Sequence, residues 1–369
     1  MLRARSAPLL LLGAAGVLGC EGRPGRGPGG DSPPGDAATD DRSAPRIDVT
    51  GAGATFPYPV YSRWISEYLA RTGVRINYQS IGSGGGIRQL VEGTVDFGAT
   101  DVPMTARELR SGGGRGVLHV PMVLGAVAVT YHLPGLGAPL RLSPDVLADL
   151  FLGRIARWDD PRLTALNPGV RLPAADVLVV HRADGSGTTY ILTDYLATVS
   201  ADWAAGPGRG KDVRWPTGVG GQGNEGVAGT VKQTPGSIGY VETTYARQNR
   251  LPVAELRNRA GRFVPPTPES VTAAAAAVTA TLPDSSDYRV SLVDAPGATS
   301  YPVASFTWLL LDRAPRDTVK ARAVAEFARW ALRDGAGAAR ELGYVPLPAP
   351  VAARVDARLA GYPAPPAAR

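Results

Sequence analysis

Residues 177–199 read Val-Leu-Val-Val-His-Arg-Ala-Asp-Gly-Ser-Gly-Thr-Thr-Tyr-Ile-Leu-Thr-Asp-Tyr-Leu-Ala-Thr-Val. The apolar run at 177–180 has the composition of a buried strand. Arg182-Ala-Asp184-Gly-Ser186-Gly187-Thr188 then brings turn and capping residues, and 188–199 reads as a helix. A strand feeding a helix through a tight turn is half of a βαβ unit, and the alternation recurs on both sides. Strand-like segments at 46–49, 75–81, 95–99 and 123–131 alternate with helix-like ones at 57–71, 86–92 and 143–151. In the first helix Val60, Tyr61, Trp64, Ile65, Tyr68 and Leu69 recur at three- and four-residue spacing until Gly73 stops it. Ser143-Pro144 is an N-cap and first-turn pair. The mixture continues through 231–241, 270–281, 306–311 and 318–332, with no internal repeat. These segments predict an α/β architecture with largely parallel sheets.

The 369 residues, 44% hydrophobic and 20% charged, are enough for two domains, each with its own core. One cysteine excludes an internal disulfide, a Cys-rich zinc site or an iron–sulfur cluster. His119, His132 and His181 are scattered, so neither a metal site nor a cofactor is expected. The formal charge of +6 comes from 36 arginines and only three lysines, a pattern of coding bias rather than of a polyanion surface. No basic run is interleaved with aromatics, and nucleic acid is not an expected partner.

Residues 1–19 read as an export signal, with Arg3 and Arg5 ahead of an apolar segment too short to span a bilayer. The segment ends in Val17-Leu18-Gly19-Cys20, which resembles the lipobox of bacterial lipoproteins. That resemblance implies cleavage before Cys20, acylation of its thiol and amino group, and an exported protein anchored to a membrane on its extracytoplasmic face. Two or more acyl chains make such an anchor stable. Across 21–45, glycine and proline fill 11 of 25 positions and no large apolar residue occurs. Residues 20–45 are therefore expected to be a disordered tether.

Three glycine- and hydroxyl-rich turns open helices: 51–57 (Gly-Ala-Gly-Ala-Thr55-Phe56-Pro), 81–86 (Ile-Gly-Ser83-Gly-Gly-Gly) and 182–188. Helix N-termini expose N–H groups, and glycine lets an anion approach them. Each turn alone reads first as a helix cap. Three together, with hydroxyls at Thr55, Ser83, Ser186 and Thr188 and the planar guanidinium of Arg182, point to a tetrahedral oxyanion. Asp184 is placed to pair with Arg182 rather than to touch the ligand. No turn matches GxxxxGK[ST] or GxSxG. The literal GxGxxG at 218–223 lacks a strand before it and reads as a structural glycine turn capping the next helix. Asp101, alone a turn or cap residue, has a sharper reading beside an anion. A carboxylate there accepts only a ligand with a proton to give, which admits phosphate and rejects sulfate.

These blocks resemble the phosphate-binding proteins of bacterial Pst-type ABC importers. The similarity is carried by 50–57 (Thr-Gly-Ala-Gly-Ala-Thr-Phe-Pro), 81–86, 95–101 (Val-Asp-Phe-Gly-Ala-Thr-Asp), 182–188, 152–159 (Leu-Gly-Arg-Ile-Ala-Arg-Trp-Asp), 218–226 and 236–242 (Gly-Ser-Ile-Gly-Tyr-Val-Glu). It implies a type II periplasmic-binding-protein fold, two-lobed, each lobe a mixed, mostly parallel sheet flanked by helices. Two hinge crossings would give lobes 46–122 with 302–369, and 123–301. The phosphate contacts implied are Thr55, Phe56 through its backbone, Ser83 and Asp101 from one lobe, and Arg182, Ser186, Gly187 and Thr188 from the other. His181 stands where relatives often carry a second arginine. The implied protein is a monomeric, non-enzymatic receptor. It hands phosphate to membrane permease subunits driven by an ATPase, while its acylated Cys20 sits in the lipid bilayer. Rival readings are a sulfate or molybdate receptor and a phosphatase using Ser186.

Overall fold

The computed structural model describes residues 47–111, 116–280 and 288–363. The predicted signal at 1–19, Cys20 and the tether at 20–45 lie outside them. Among the described residues no helix is long and apolar enough to cross a membrane.

The chain first alternates strand and helix: β1 (Asp48–Gly53), α1 (Tyr58–Thr72), β2 (Arg75–Ser80), α2 (Ser83–Glu92), β3 (Phe97–Thr100) and α3 (Ala106–Ser111). Strand β1 lies between β2 and β3, parallel to both. The long β4 (Val117–Tyr131) leads into β5 (Arg141–Leu142), α4 (Pro144–Phe151), α5 (Pro161–Leu166), β6 (Leu178–Arg182), α6 (Gly187–Val199) and α7 (Ala201–Ala205). Then come β7 (Val219–Gly221), α8 (Gly223–Gln233), β8 (Ser237–Glu242), α9 (Thr243–Asn249), β9 (Glu255–Arg257), β10 (Phe263–Val264) and α10 (Pro268–Thr279). The last elements are β11 (Ala304–Asp312), α11 (Thr318–Arg333), α12 (Ala336–Glu341), β12 (Val345–Pro346) and α13 (Ala349–Ala360).

The main sheet runs β2-β1-β3-β11-β4-β8-β6-β7, with β12 also on β4, and a second sheet runs β10-β9-β5. Pairing is parallel at the two ends of the main sheet, with β6 parallel to β7 and β8. It is antiparallel in the middle, around β4 and β11. Strand β4 serves both ends: 117–126 pair with β11 and 127–131 with β8. It is buried almost throughout. The structure starts it six residues before the predicted 123, because His119 and Pro121 break the apolar run. His119 is buried and accepts the Met104 N–H at 3.1 Å. Pro121, which has no N–H to donate, faces the register shift of β11 between Phe306 and Trp308.

Helix α1 buries Val60, Tyr61, Trp64 and Tyr68 of its predicted face, while Ile65 is half-buried and Leu69 is exposed, and Gly73 ends it at φ 75°. The Trp64 indole donates to Gly335 O at 2.8 Å, and the Tyr68 and Phe327 rings meet edge-on at 5.3 Å. Ser143 holds the N-cap position of α4 with extended backbone, but its side chain makes no cap hydrogen bond.

Three glycine-rich segments depart from their predicted form. Residues 51–53 belong to β1 rather than to a turn: Gly51 lies under the Phe97 ring and Gly53 against the Ala99 backbone. Helix α2 starts at Ser83, so the glycines at 84–86 are helical, and Gly86 backs onto the Ala52–Gly53 main chain. Within 218–223, residues 219–221 form edge strand β7 beside β6. Glycine serves here because the Gly221 Cα abuts the Val227 backbone.

The two helical glycines Gly86 and Gly229 should therefore respond oppositely to alanine. A Cβ at Gly86 overlaps the Ala52–Gly53 backbone, whereas one at Gly229 meets nothing within 4 Å. Urea unfolding without added anion should show Gly86→Ala destabilised by about 1–3 kcal/mol. Gly229→Ala should be stabilised by about 0.5–1 kcal/mol.

Candidate anion-binding site

The predicted site residues lie at the C-terminal ends of parallel strands, where ligands bind in open α/β sheets. Thr55 and Phe56 follow β1, Ser83 opens α2, and Asp101 follows β3. Arg182 ends β6, Ser186 is the N-cap of α6, and Gly187 and Thr188 form its first turn. All are buried, Arg182 to 3% and Asp101 to 1% exposure.

The two sets meet. Gly84 N–H donates to Gly185 O at 2.7 Å. A Cβ on Gly187 would stand 2.5 Å from both Asp101 Oδ2 and Ser83 Oγ, so only glycine allows this approach. At the rim, Lys211 Nζ pairs with Glu108 of α3 at 2.6 Å, while Lys211 O accepts the Ser186 N–H at 2.8 Å. A cavity of about 290 Å³ opens beside Asp101, lined also by Met104, Tyr190, Ser291 and Trp308. Among the described residues no His/Cys/Asp/Glu group could hold a metal ion.

Arg182 is held on two sides. Its Nε donates to Asp184 Oδ1 at 2.7 Å, a second guanidinium nitrogen pairs with Asp184 Oδ2, and Nη1 reaches Thr188 Oγ1 at 3.3 Å. Gly223 N–H also donates to Asp184 Oδ1, at 3.1 Å. Asp101 has no such balance. Its Oδ2 accepts from Ser83 Oγ at 3.4 Å, but its Oδ1 is buried without a partner. Burial pushes this carboxyl well above the usual carboxylate range, against the opposing pull of Arg182 and the Ser83 hydroxyl. Ser186 Oγ accepts the Thr189 N–H at 3.0 Å as a helix cap.

Four residues outside the predicted set complete the arrangement. Asn224 donates from Nδ2 to Thr55 Oγ1 at 2.7 Å and to Thr188 Oγ1 at 3.2 Å. Tyr245 donates to Thr55 O and Tyr344 to Phe56 O, both at 2.7 Å. Glu242, fully buried, accepts the Thr244 N–H at Oε2 and lies 3.0 Å from the Tyr344 hydroxyl. Tyr344 has one O–H proton and gives it to Phe56 O, so the 3.0 Å contact is satisfied when Glu242 carries a proton and donates. Burial pushes Glu242 up to about 8, in agreement. Sequence reading touched two of the four only in passing, Asn224 within the glycine run and Glu242 as the last residue of the 236–242 block. No spacing rule links Asn224 to Thr55 across 169 positions.

Buried donors converging from two sides of a two-lobed α/β fold define a binding protein for a small polar ligand. A family model described as a PBP superfamily domain matches residues 32–334. The chain is 47% identical over 311 residues to the phosphate-binding protein PstS of Pasteurella multocida, covering 84% of this chain and 89% of that one. Identity to the PstS of Haemophilus influenzae is 44% over 311 residues, with 84% and 92% covered. Among solved structures, a high-affinity periplasmic phosphate-binding protein bound with phosphate superposes with a TM-score of 0.67 at 22% identity, covering 84% and 93% of the two chains. This chain belongs to the PBP superfamily and, within it, to the PstS phosphate-binding proteins.

The Glu242 assignment sets a pH dependence of stability. A carboxyl raised in the folded state favours folding most below its unfolded value near 4.5. Stability then falls as pH rises towards 8, because the folded state keeps a proton that the unfolded state has lost. One such group contributes a slope of about 1.4 kcal/mol per pH unit. Glu242→Gln should flatten the fall in urea stability between pH 5 and 8 by about that slope, measured without phosphate.

Proposed function

We propose that this protein binds inorganic phosphate between its lobes and delivers it to the membrane permease of an ATP-driven importer. Asp101 is the observation that carries this reading. Its Oδ1 is buried without a partner, as is Oε1 of Glu242 behind the Phe56 carbonyl, but among the proposed ligand contacts it is the one acceptor left open. An acceptor there fits an anion that still bears a proton, and phosphate does so near neutral pH. The other proposed contacts are Thr55, the Phe56 backbone, Ser83, Arg182, Ser186, Gly187 and Thr188, with Asp184 fixing the Arg182 fork. The names of the PstS relatives support the same ligand.

The lobes are taken as 46–122 with 302–369, and 123–301. The change of partner along β4 at 126–127 favours a crossing on this strand. With donors divided between lobes, only the closed state satisfies the anion fully, so the ligand draws the lobes together. Catalysis has no part in this reading: Ser186 Oγ accepts the Thr189 N–H as a helix cap, which leaves its proton to donate to the anion. The exported chain is held to the membrane through acylated Cys20, and 20–45 give it reach to the permease.

Calorimetry on protein stripped of bound anion should show phosphate binding at micromolar concentrations; absence of heat there overturns the reading. Asp101→Asn should cut the preference for phosphate over sulfate by tenfold or more, about 1.4 kcal/mol. The wild type carries the sign in its pH profile. As pH falls and Asp101 takes up a proton, the carboxyl becomes a donor, so sulfate should bind more tightly at pH 5 than at pH 8. Sulfate affinity unchanged over that range would remove Asp101 as the reader of the ligand proton.

A further inference from the structure

We propose that Asn224 is a positioning residue that commits the two cleft threonines to donating their hydroxyl protons, and so sets the polarity of the site. A threonine hydroxyl has one proton and two lone pairs, and its proton goes wherever the lone pairs are not engaged. Thr55 Oγ1 accepts twice from Asn224, from Nδ2 at 2.7 Å and from the backbone N–H at 3.3 Å. Thr188 Oγ1 accepts from Asn224 Nδ2 at 3.2 Å and from Arg182 Nη1 at 3.3 Å. Both oxygens are thus filled as acceptors, and both protons are left to donate.

The orientation of the amide is itself determined. Glu242 N–H, which can only donate, lies 2.8 Å from Asn224 Oδ1. The oxygen must face it, so the NH₂ group faces the threonines, and each of its two hydrogens has its own hydroxyl. Asn224 is fully buried near the start of α8. Thr55 belongs to one proposed lobe and Thr188 to the other, so the same side chain bridges the cleft. Asp184 makes the matching link from the β6 turn to the residue before Asn224, accepting the Gly223 N–H.

A carboxylate at this position would reverse the polarity. It accepts where the amide donates, so both threonine protons would turn towards it and away from a bound anion.

The inference rests on the cleft being a phosphate site, and the experiment separates the two. Phosphate affinity is measured by calorimetry for the full chain, for Asn224→Ala, for Thr55→Val/Thr188→Val and for the triple variant. If the amide acts through the hydroxyls, Asn224→Ala weakens binding by roughly tenfold or more in the native background. In the valine background, where there is no hydroxyl to orient, the loss is less than about twofold. Equal losses in both backgrounds, or none in the native one, overturn the proposal, since a purely structural role is additive. A wild type that binds no phosphate overturns the anion reading instead, and this inference with it. Should Asn224→Ala not fold, Asn224→Asp keeps the acceptor for Glu242 N–H. Its affinity relative to wild type at the same pH should be lowest at pH 8 and recover at least several-fold by pH 5, as the new carboxyl regains a proton to donate. A ratio constant across that range overturns the proposal.

Discussion

The ion pair between Arg182 and Asp184 is the constraint around which the site is arranged. A guanidinium this deeply buried is costly unless a carboxylate and further hydrogen bonds receive it. Asp184 takes two of its nitrogens, and a third reaches Thr188. The pairing is local in sequence, two residues apart, so it forms with the β6 turn and needs no distant element to hold it. What it requires from elsewhere is satisfaction of the carboxylate, which the Gly223 N–H provides. Strand β6, the turn after β7 and the start of α8 are thereby fixed to one another. Because the pair is neutral, the field offered to an anion comes from oriented dipoles and hydroxyls more than from net charge. Asp101, unlike Asp184, is left without a paired cation.

Strand β4 imposes a second constraint, on motion. It pairs with β11 over 117–126 and with β8 over 127–131, so one continuous buried strand belongs to both ends of the sheet. At the changeover Val127 stands opposite Glu242. The buried proton inferred for Glu242 lies at the same place, reaching Phe56 O through the Tyr344 hydroxyl. Tyr245, from α9, holds the neighbouring carbonyl of Thr55. Two tyrosines from the far part of the chain thus fix the carbonyl side of the Thr55-Phe56 loop. The shape of that loop depends on residues beside the β4 changeover as well as on the strand that precedes it.

Much of this was legible in local sequence, because the information is local. The face of α1, its stop at Gly73 and the junction from β6 to α6 each depend on residues within a few positions. Glycine misled where its role is contact rather than turning. Gly51 and Gly53 sit in a strand and Gly84 to Gly86 in a helix because main chains pass too close for a Cβ. The run at 218–223 was read as a turn and contains an edge strand for the same reason. Strand β4 was cut short because His119 and Pro121 look polar or disruptive until the Met104 N–H and the β11 register shift are seen. Asn224, Tyr245 and Tyr344 were illegible in principle. The partners of their side chains lie 18 to 288 residues away in other segments, and nothing in their own neighbourhood marks them.

These observations bear on how a buried cleft can prefer one tetrahedral anion. Positive charge alone would draw phosphate and sulfate alike. Here the guanidinium is neutralised in advance, and Asn224 and Arg182 hold the threonine oxygens as acceptors, so their protons point outward. Discrimination is left to the group that does not donate. On the proposed reading of Asp101, a ligand that can supply it a proton completes the set, and one that cannot leaves two buried acceptors facing each other. Selectivity of this kind depends on the remaining hydroxyls keeping their protons for the ligand. The Ser83 hydroxyl already reaches Asp101 Oδ2 at 3.4 Å, and a further hydroxyl turning to Oδ1 would satisfy the carboxyl and weaken the distinction. The bridge that locks the threonines is therefore as much a part of the selectivity as the carboxylate that reads the proton.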